Sequence, residues 1–153
     1  MDGDLRVLYL RDAVNLYGGG PAYATSGSAG LDLRACMDAD SLTIGPGERA
    51  CVPAGICVES CVPGAAGFIY SRSGLGAVKG LCVAQGVGVV DADYRGEIMV
   101  WLLNTSREQR TVLRGERVAQ LVFQPVLRLA AVSADDLSDT GRGSGGFGHT
   151  GRQ

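Results

Sequence analysis

Two apolar runs flank a polar turn in the stretch Gly86-Val-Gly-Val-Val-Asp-Ala-Asp-Tyr-Arg-Gly-Glu97. The first run, residues 87–90, ends at Asp91-Ala-Asp93, and a second run, residues 98–103, begins after Gly96. Apolar runs separated by Asp and Gly are typical of a β-hairpin. An isolated Asp in such a turn is more often structural than catalytic, because its carboxylate accepts backbone N–H bonds. The stretch therefore predicts a hairpin with a carboxylate at its mouth, whose role depends on the rest of the chain.

The composition fits one globular domain. The chain has 153 residues, a hydrophobic fraction of 46% and a net charge of −2. A chain of this size can bury a core, and its charge offers no basic field for nucleic acid. The first residues are acidic where a signal peptide needs basic ones, and no apolar run approaches the roughly 18 residues of a membrane span. The sequence predicts a cytoplasmic protein that binds neither nucleic acid nor membrane.

The five cysteines are odd in number, include no Cys-x-x-Cys pair and mostly lie in apolar, strand-like runs. This pattern predicts buried free thiols. The only histidine, His149, is far along the chain from every cysteine, so a structural zinc site is not expected. Individual arginines would have to hold an anionic ligand.

Short β-branched runs recur between Gly, Pro and Asp, and no long window has the i, i+3, i+4, i+7 pattern of a helix. The 24 glycines supply turns between the runs. The predicted class is all-β, with a distorted sandwich or jelly roll as the architecture. Besides the first run of the hairpin, the predicted strands are residues 5–10, 28–36, 42–44, 49–52, 56–59, 67–71, 81–84, 97–104 and 117–129.

The last two predicted strands are apolar on both faces. Residues 97–104 alternate between two apolar faces, and residues 118–127 have a second apolar face that includes glutamines. A strand that is apolar on both sides needs cover on both sides. Glutamines among apolar residues fit a subunit interface as well as a core, so a homo-oligomer is predicted.

Three further segments combine polar side chains with glycine. Asp32 lies in an alternating strand, on the face opposite Leu31 and Leu33, where an exposed carboxylate is the simplest explanation. The turn at residues 70–76 offers a guanidinium, a hydroxyl and backbone N–H groups, which can cradle a phosphate or form an ordinary turn. The glycine-rich tail from residue 141 is either a disordered terminus or a lid with a cation, an aromatic ring and hydrogen-bonding groups.

Five segments carry these groups in order: Ala29-Gly-Leu-Asp-Leu-Arg-Ala35, Ser71-Arg-Ser-Gly-Leu75, Gly86 to Glu97, Arg117-Val-Ala-Gln120 and Arg142-Gly-Ser-Gly-Gly-Phe-Gly-His-Thr150. In order and spacing they resemble the five motifs of the trimeric dUTP diphosphatase (dUTPase) family and span nearly the whole chain. The resemblance implies a jelly-roll-like homotrimer with shared active sites, formed by a β domain, residues 1–140, and a flexible C-terminal lid, residues 141–153. The implied reaction is magnesium-assisted hydrolysis of dUTP to dUMP and pyrophosphate, which keeps dUTP low and supplies dUMP for thymidylate synthesis.

The resemblance implies a catalytic role for several of these residues. Asp91 is expected to deprotonate a water for in-line attack on the α-phosphorus, and Gln120 to position that water or an α-phosphate oxygen. Arg72 and Ser73, with the backbone of Gly74, are expected to hold phosphate oxygens and to stabilise the charge that develops on the leaving pyrophosphate.

The metal site and the tail complete the phosphate end of the implied site. Asp32 is expected to reach Mg²⁺ through water, because magnesium that bridges phosphates usually keeps part of its hydration shell. Arg117 is either a phosphate ligand or a structural ion-pair partner. The tail is expected to close over the nucleotide, with an aromatic ring on the base and its polar groups on the outer phosphates. Its implied substrate-binding residues are Arg142, Phe147, Gly148, His149 and Thr150.

A pocket for uracil must match the acceptor, donor, acceptor order of the base edge. The backbone from Gln85 to Val90, including Val89, can supply donor, acceptor and donor. Cytosine would leave buried groups unpaired, and a thymine methyl would clash with a tight hairpin. Tyr94 under the sugar would exclude a ribose 2′-hydroxyl, and Met99 could line the same pocket. The contact of Gln85 is through either its backbone or its side chain.

Two other functions stay open at this point. One is a dCTP deaminase, or a bifunctional deaminase and diphosphatase, of the same fold; Asp91 and the Phe147 tail argue against it. The other is a non-catalytic binding protein, which the intact set of phosphate, base and water-activating groups disfavours.

Overall fold

The structure, a computed structural model, describes residues 3–146. Strands dominate, and the predicted all-β class is confirmed. The elements are β1 (Leu5–Tyr9), α1 (Ala13–Leu16), β2 (Leu31–Arg34), β3 (Ser41–Ile44), β4 (Arg49–Pro53), β5 (Ile56–Ser60), β6 (Ala65–Ser71), a π-helix (Gly74–Val78), β7 (Leu81–Val83), β8 (Gly88–Val90), β9 (Met99–Asn104), β10 (Arg110–Leu113) and β11 (Arg117–Pro125).

The strands form antiparallel sheets around one core. The largest sheet has the order β2-β11-β6-β8, and a second sheet has the order β4-β9-β7. Two pairs, β1 with β5 and β3 with β10, complete the fold. Every second residue of β9 is buried, including Val100 and Leu102, and Leu121 on β11 is buried as well. Full burial of each such aliphatic side chain stabilises the fold by about 1.5–3 kcal/mol.

The register of the four-stranded sheet places the polar residues of three strands beside one another. Asp32 on β2 lies opposite Gln120 on β11, and Gln120 lies opposite Tyr70 on β6. The register of β2 and β11 shifts between Arg117 and Ala119, as at a β-bulge. Bulges re-aim side chains next to functional sites, so this shift lets the start of β11 face Asp32.

The stretch that was predicted to be a hairpin connects two sheets instead. β8 pairs with β6, whereas β9 pairs with β4 and β7, so residues 91–98 cross from one sheet to the other. Val90 and Ile98, on either side of the turn, are both buried in the shared core. An apolar run followed by a polar turn has the same pattern in both arrangements, which is why the sequence could not distinguish them.

Other differences concern short elements and strand ends. β10, α1 and the π-helix were not predicted, because elements of four or five residues have too few periods to give a pattern. β11 ends at Pro125, and Leu127 and Leu129, which were predicted to extend it, are 89% and 87% exposed. Within residues 3–146 no helix is both long and apolar enough to cross a membrane.

Candidate active site

A buried carboxylate with two arginines lies at one end of the four-stranded sheet. Asp32 is only 7% exposed. Its Oδ1 accepts a hydrogen bond from Nε of Arg72 at 3.0 Å, and its Oδ2 accepts one from Nη1 of Arg117 at 3.0 Å. Two guanidinium groups on one carboxylate leave a net charge of about +1 with N–H donors in excess. We call Asp32, Arg72, Arg117 and Gln120 the arginine cluster.

Three separate strands bring the cluster together. Arg72 directly follows the last residue of β6, Arg117 begins β11, and Asp32 lies in β2. Nη1 of Arg72 also donates to the carbonyl oxygen of Arg117 at 3.3 Å, which ties β6 to β11 at this end. The sequence had left open whether Arg117 is a phosphate ligand or an ion-pair partner, and in this structure it is an ion-pair partner of Asp32.

The backbone after Arg72 forms an open turn. The N–H groups of Leu75 and Gly76 both donate to the carbonyl oxygen of Arg72, at 3.1 and 2.7 Å, and begin the π-helix. Ser73 is exposed and its hydroxyl makes no capping bond, while nothing lies within 4 Å of a Cβ built on Gly74. Single π-helical turns are frequent at functional sites. The turn therefore offers a free hydroxyl and accessible backbone beside two cations, as anion binding requires.

Gly30 was part of a recognised motif but had no assigned role, and the structure supplies one. A Cβ at Gly30 would lie 3.0 Å from Cβ of Gln120 and 3.2 Å from Cγ2 of Val122. A side chain at position 30 would crowd the half-buried Gln120, which would have to shift by a few tenths of an ångström. Spacing along the sequence could not reveal this contact, because it depends on the pairing of β2 with β11.

Tyr17 supports the cluster from behind, and the sequence did not single it out. Its hydroxyl donates to the carbonyl oxygen of Ala54 at 3.0 Å and accepts from the backbone N–H of Arg34 at 2.9 Å. Burial raises the pKa of Tyr17 to about 12, so the hydroxyl stays protonated near neutral pH. This bond fixes β2 two residues beyond Asp32.

Asp91 lies in the turn that follows β8, which we call the acidic turn (residues 91–97). Asp91 is exposed, and its carbonyl oxygen accepts from the N–H of Tyr94 at 3.1 Å. The Tyr94 hydroxyl donates to the carbonyl oxygen of Glu97 at 2.9 Å. A Cβ on Gly96 would clash with the hydroxyl oxygen of Tyr94, so Gly96 is what allows the ring to fold over the turn.

The residues predicted to recognise the base surround this turn. β8 is the edge strand of its sheet and pairs only with β6, so one side of its backbone is free of ladder bonds within the described chain. Val90 is buried and can offer a ligand only its backbone, whereas Val89 and Met99 are 61% and 41% exposed. Gln85 is exposed in the turn before β8. An open strand edge with exposed apolar side chains can bind a flat polar ring.

The two regions are separated along β6. Val90, next to Asp91, pairs with Gly67, whereas Ser71, next to Arg72, pairs with Ala119. Four residues of strand place Gly67 and Ser71 about 13 Å apart. One chain therefore brings Asp32, Arg72, Arg117 and Gln120 together but keeps Asp91 away from them.

The predicted tail residues lie mostly outside the described part. Arg142 is exposed, and its Nε donates to the carbonyl oxygen of Gly145 at 2.8 Å within a local turn. Phe147, Gly148, His149 and Thr150 lie outside the described residues. Among residues 3–146 no group of three or more His, Cys, Asp or Glu side chains could hold a metal ion.

Comparison with known proteins gives the same family throughout. The dUTPase family model matches residues 18–151. The deoxyuridine 5′-triphosphate nucleotidohydrolase of Escherichia coli O9:H4 (strain HS) is 44% identical over 133 residues, which are 87% of this chain and 87% of that protein.

Solved structures have the same jelly-roll-like β fold. A variant of the Staphylococcus bacteriophage 80alpha dUTPase with dUpNHpp superposes with a TM-score of 0.83 at 22% identity, over 98% of this chain and 99% of that one. A variant of the dUTPase from phage phi11 of S. aureus, in which a structural Mg(II) ion is coordinated, gives a TM-score of 0.75 at 19% identity over 89% and 99% of the two chains.

Proposed function

Because this chain belongs to the dUTPase family, we propose that it hydrolyses dUTP to dUMP and pyrophosphate. The observation that carries the proposal is the arginine cluster, in which Asp32 orients two guanidinium groups beside an open turn. Such a constellation suits a triphosphate, since charge-assisted bonds to phosphate oxygens are strong and directional.

The arginine cluster and its turn bind the phosphates. Arg72 is held at its Nε by Asp32, so its remaining N–H groups are pre-oriented for phosphate oxygens. The Ser73 hydroxyl and the backbone at Gly74 add neutral donors. As the bond to the leaving pyrophosphate breaks, these donors stabilise the negative charge that develops on it.

Asp91 acts as general base. Its exposed carboxylate takes a proton from a water molecule, which attacks the α-phosphorus in line with the leaving pyrophosphate. Gln120, whose place is fixed by Gly30, orients that water or an α-phosphate oxygen. The reaction breaks one P–O bond and forms another, without a covalent enzyme intermediate.

Magnesium fits this site as an ion that is held largely by the substrate. Both oxygens of Asp32 are already bonded to arginines, so this carboxylate suits a water-mediated contact better than direct coordination. When bound, Mg²⁺ would neutralise phosphate charge and favour departure of pyrophosphate. The phi11 relative, with its structural Mg(II) ion, supports the use of this metal in the family.

Base and sugar selection belong to the acidic turn and β8. The free edge of β8, residues 88–90 with Gln85 before it, offers backbone donors and acceptors to uracil. Tyr94, whose ring is pinned by its bond to Glu97, packs under the sugar and leaves no room for a 2′-hydroxyl. Met99 lines the pocket.

A homotrimer completes the site. The separation of Asp91 from the arginine cluster within one chain supports a site whose two parts come from different subunits. The outward face of β9 supports the same assembly, because Met99 and Trp101 are 41% and 48% exposed there. The tail, from Arg142 to Thr150, closes over the bound nucleotide as a lid.

The cytoplasm is the proposed location. All five cysteines are free thiols, which fits a reducing compartment.

The proposal is tested by measuring pyrophosphate release from dUTP, dTTP, dCTP and UTP side by side, with and without Mg²⁺. Only dUTP should react well, and removal of Mg²⁺ should slow the reaction. Comparable turnover of dTTP or UTP would contradict the assigned pocket and the role of Tyr94. Ammonia release from dCTP would instead identify a deaminase of the same fold.

A further inference from the structure

A single arginine holds the acidic turn from the outside. Nη1 of Arg95 donates to the carbonyl oxygens of Ala92 at 2.8 Å and of Tyr94 at 3.0 Å. Nη2 of the same guanidinium donates to Oε1 of Glu59 at 2.9 Å. Arg95 thus binds two carbonyl groups of the turn with one nitrogen and an anchor on another strand with the other.

The anchor, Glu59, belongs to the strand pair β1 and β5. It lies opposite Arg6, whose Nη1 donates to its Oε2 at 3.2 Å. The hydrogen bond from Arg6 and the charge of Arg95 hold the pKa of Glu59 below its usual value, so it stays ionised at neutral pH. The turn is thereby fixed to a strand pair outside the four-stranded sheet.

The far end of the turn has a separate attachment. Oε1 of Glu97 accepts from the backbone N–H of Gly55 at 2.8 Å and also from Arg11. Arg11 is the one non-glycine residue among residues 3–146 with a positive φ, +53°, a conformation that L residues adopt at a cost. The Glu97 side chain therefore fixes where the turn ends, while its carbonyl oxygen accepts only the Tyr94 hydroxyl from the described residues 91–94.

Residues 91–94 depend on Arg95. Within the described chain the turn there is closed by one backbone bond, from Tyr94 N–H to Asp91 C=O, and no side chain other than Arg95 donates to carbonyls in this half. Both residues that the proposed reaction needs at this end, Asp91 and Tyr94, flank the Ala92 carbonyl. Without the guanidinium, the described chain would hold these residues only through the Tyr94 N–H bond to the Asp91 carbonyl and the Tyr94 hydroxyl bond to the Glu97 carbonyl, and neither of these bonds involves the Ala92 carbonyl.

We propose that Arg95 is a positioning residue: it sets the direction in which the Asp91 carboxylate points and the position of the Tyr94 ring relative to the backbone of the turn. The inference rests on the proposed function and deepens it. One residue outside the pocket would position both Asp91, on which the rate depends, and Tyr94, which selects the sugar. An exposed arginine and glutamate pair contributes little to stability by itself. A small displacement of a catalytic group, in contrast, can cost about 100-fold in rate.

The test compares Arg95→Ala with Arg6→Ala. Both variants remove one cation from Glu59, but only the first loses contact with the turn, so Arg6→Ala is the matched control. For Arg95→Ala we expect kcat with dUTP to fall about 10- to 100-fold, while KM changes by no more than about 3-fold, since the phosphate donors are untouched. The ratio of kcat/KM for dUTP to that for UTP should fall several-fold, and Arg6→Ala should keep both quantities.

Two further measurements separate positioning from general loss of structure. Arg95→Lys keeps the charge but has a single nitrogen, so it cannot bind the two carbonyl groups of the turn and Glu59 in the way that the two nitrogens of Arg95 do; its melting temperature should match the wild type while kcat stays reduced. Added guanidinium ion at millimolar concentration should restore part of the rate of Arg95→Ala and none of the rate of an Asp91 variant.

Each outcome decides a different claim. A wild-type protein that releases no pyrophosphate from dUTP would reject the proposed function itself. An active wild type with Arg95→Ala and Arg95→Lys indistinguishable from Arg6→Ala in kcat and in the dUTP to UTP ratio would reject the positioning role. A loss of kcat that appears only together with a loss of melting temperature in both Arg95 variants would also reject it.

Discussion

The two ends of β6 hold their polar groups in opposite ways. At the Ser71 end, Asp32 is buried and bonded to two arginines, so the arginine cluster is complete within one chain. At the Gly67 end, Asp91 is exposed on a turn whose support comes from Arg95 and Glu97. The arginine cluster is thus formed without a ligand, whereas Asp91 at the Gly67 end is exposed on the surface of the chain. We infer that the site is made by bringing the second end of one subunit to the first end of another.

The largest effect is expected from Asp91→Asn. This change keeps the shape of the turn and removes the proton acceptor, which should lower kcat about 100- to 10,000-fold. Nucleotide binding should persist, because the arginine cluster and β8 are unchanged. Single-turnover kinetics with dUTP and calorimetry with dUpNHpp measure the two quantities. A kcat near that of the wild type would mean that Asp91 has only a structural role in the turn, and would contradict its assignment as the general base.

Arg72→Ala tests the other end of β6, the arginine cluster, and should affect both the rate and nucleotide binding. It removes a phosphate donor and one of the two cations on Asp32, so kcat should fall about 100- to 1,000-fold. Binding of dUpNHpp should weaken as well, unlike in Asp91→Asn. Lys79→Ala is the matched control, since Lys79 is an exposed cation at the end of the π-helix. Equal binding by Arg72→Ala and the control would remove Arg72 from the phosphate site.

The smallest effect concerns the support behind the arginine cluster. Tyr17→Phe removes the hydroxyl that bonds Ala54 and Arg34, and should lower the free energy of unfolding by about 1–3 kcal/mol. The raised pKa of Tyr17, about 12 against a usual 10.0, means that its contribution is complete below pH 10 and is lost as the pH rises toward 12.

Urea unfolding of both proteins at neutral pH and near pH 11 measures this difference. The gap between wild type and Tyr17→Phe should narrow at the higher pH. A gap that stays constant, or that widens, would show that the hydroxyl does not titrate with the predicted direction.

The arginine cluster was partly predictable from the sequence. Alternation along β2 correctly set Asp32 opposite Leu31 and Leu33, and the order of motifs indicated Arg72 and Gln120. The partner of Arg117 was not predictable, because the two residues are 85 positions apart and meet only through strand pairing and a bulge. The close approach of Gly30 to Gln120 depends on the same pairing.

The sequence correctly predicted a polar turn at residues 91–97, but the prediction that its two flanking strands pair with each other was wrong. The polar residues and the turn itself were clear, but a connection between sheets has the same apolar pattern as a hairpin. The role of Arg95 could not be predicted from the sequence for a different reason. A charged residue in an exposed turn is ordinarily solvated, and only the positions of Ala92, Tyr94 and Glu59 around it indicate a specific role.

The separation of the two ends also limits what one chain can do. If Asp91 and the arginine cluster meet only across subunits, an inactive Asp91→Asn chain and an inactive Arg72→Ala chain can complement each other. A mixture of Asp91→Asn with the double variant Asp91→Asn/Arg72→Ala is the control, because it forms mixed oligomers in which no site has a base.

The most direct measurement is dUTP hydrolysis by oligomers that are co-refolded from equal amounts of Asp91→Asn and Arg72→Ala chains, with mixing confirmed by native mass spectrometry. Random assembly should give complete sites at roughly one quarter of the positions, hence about a quarter of wild-type activity. Activity that stays at the level of the separate variants, in oligomers that are demonstrably mixed, would mean that both ends serve one site within a single chain.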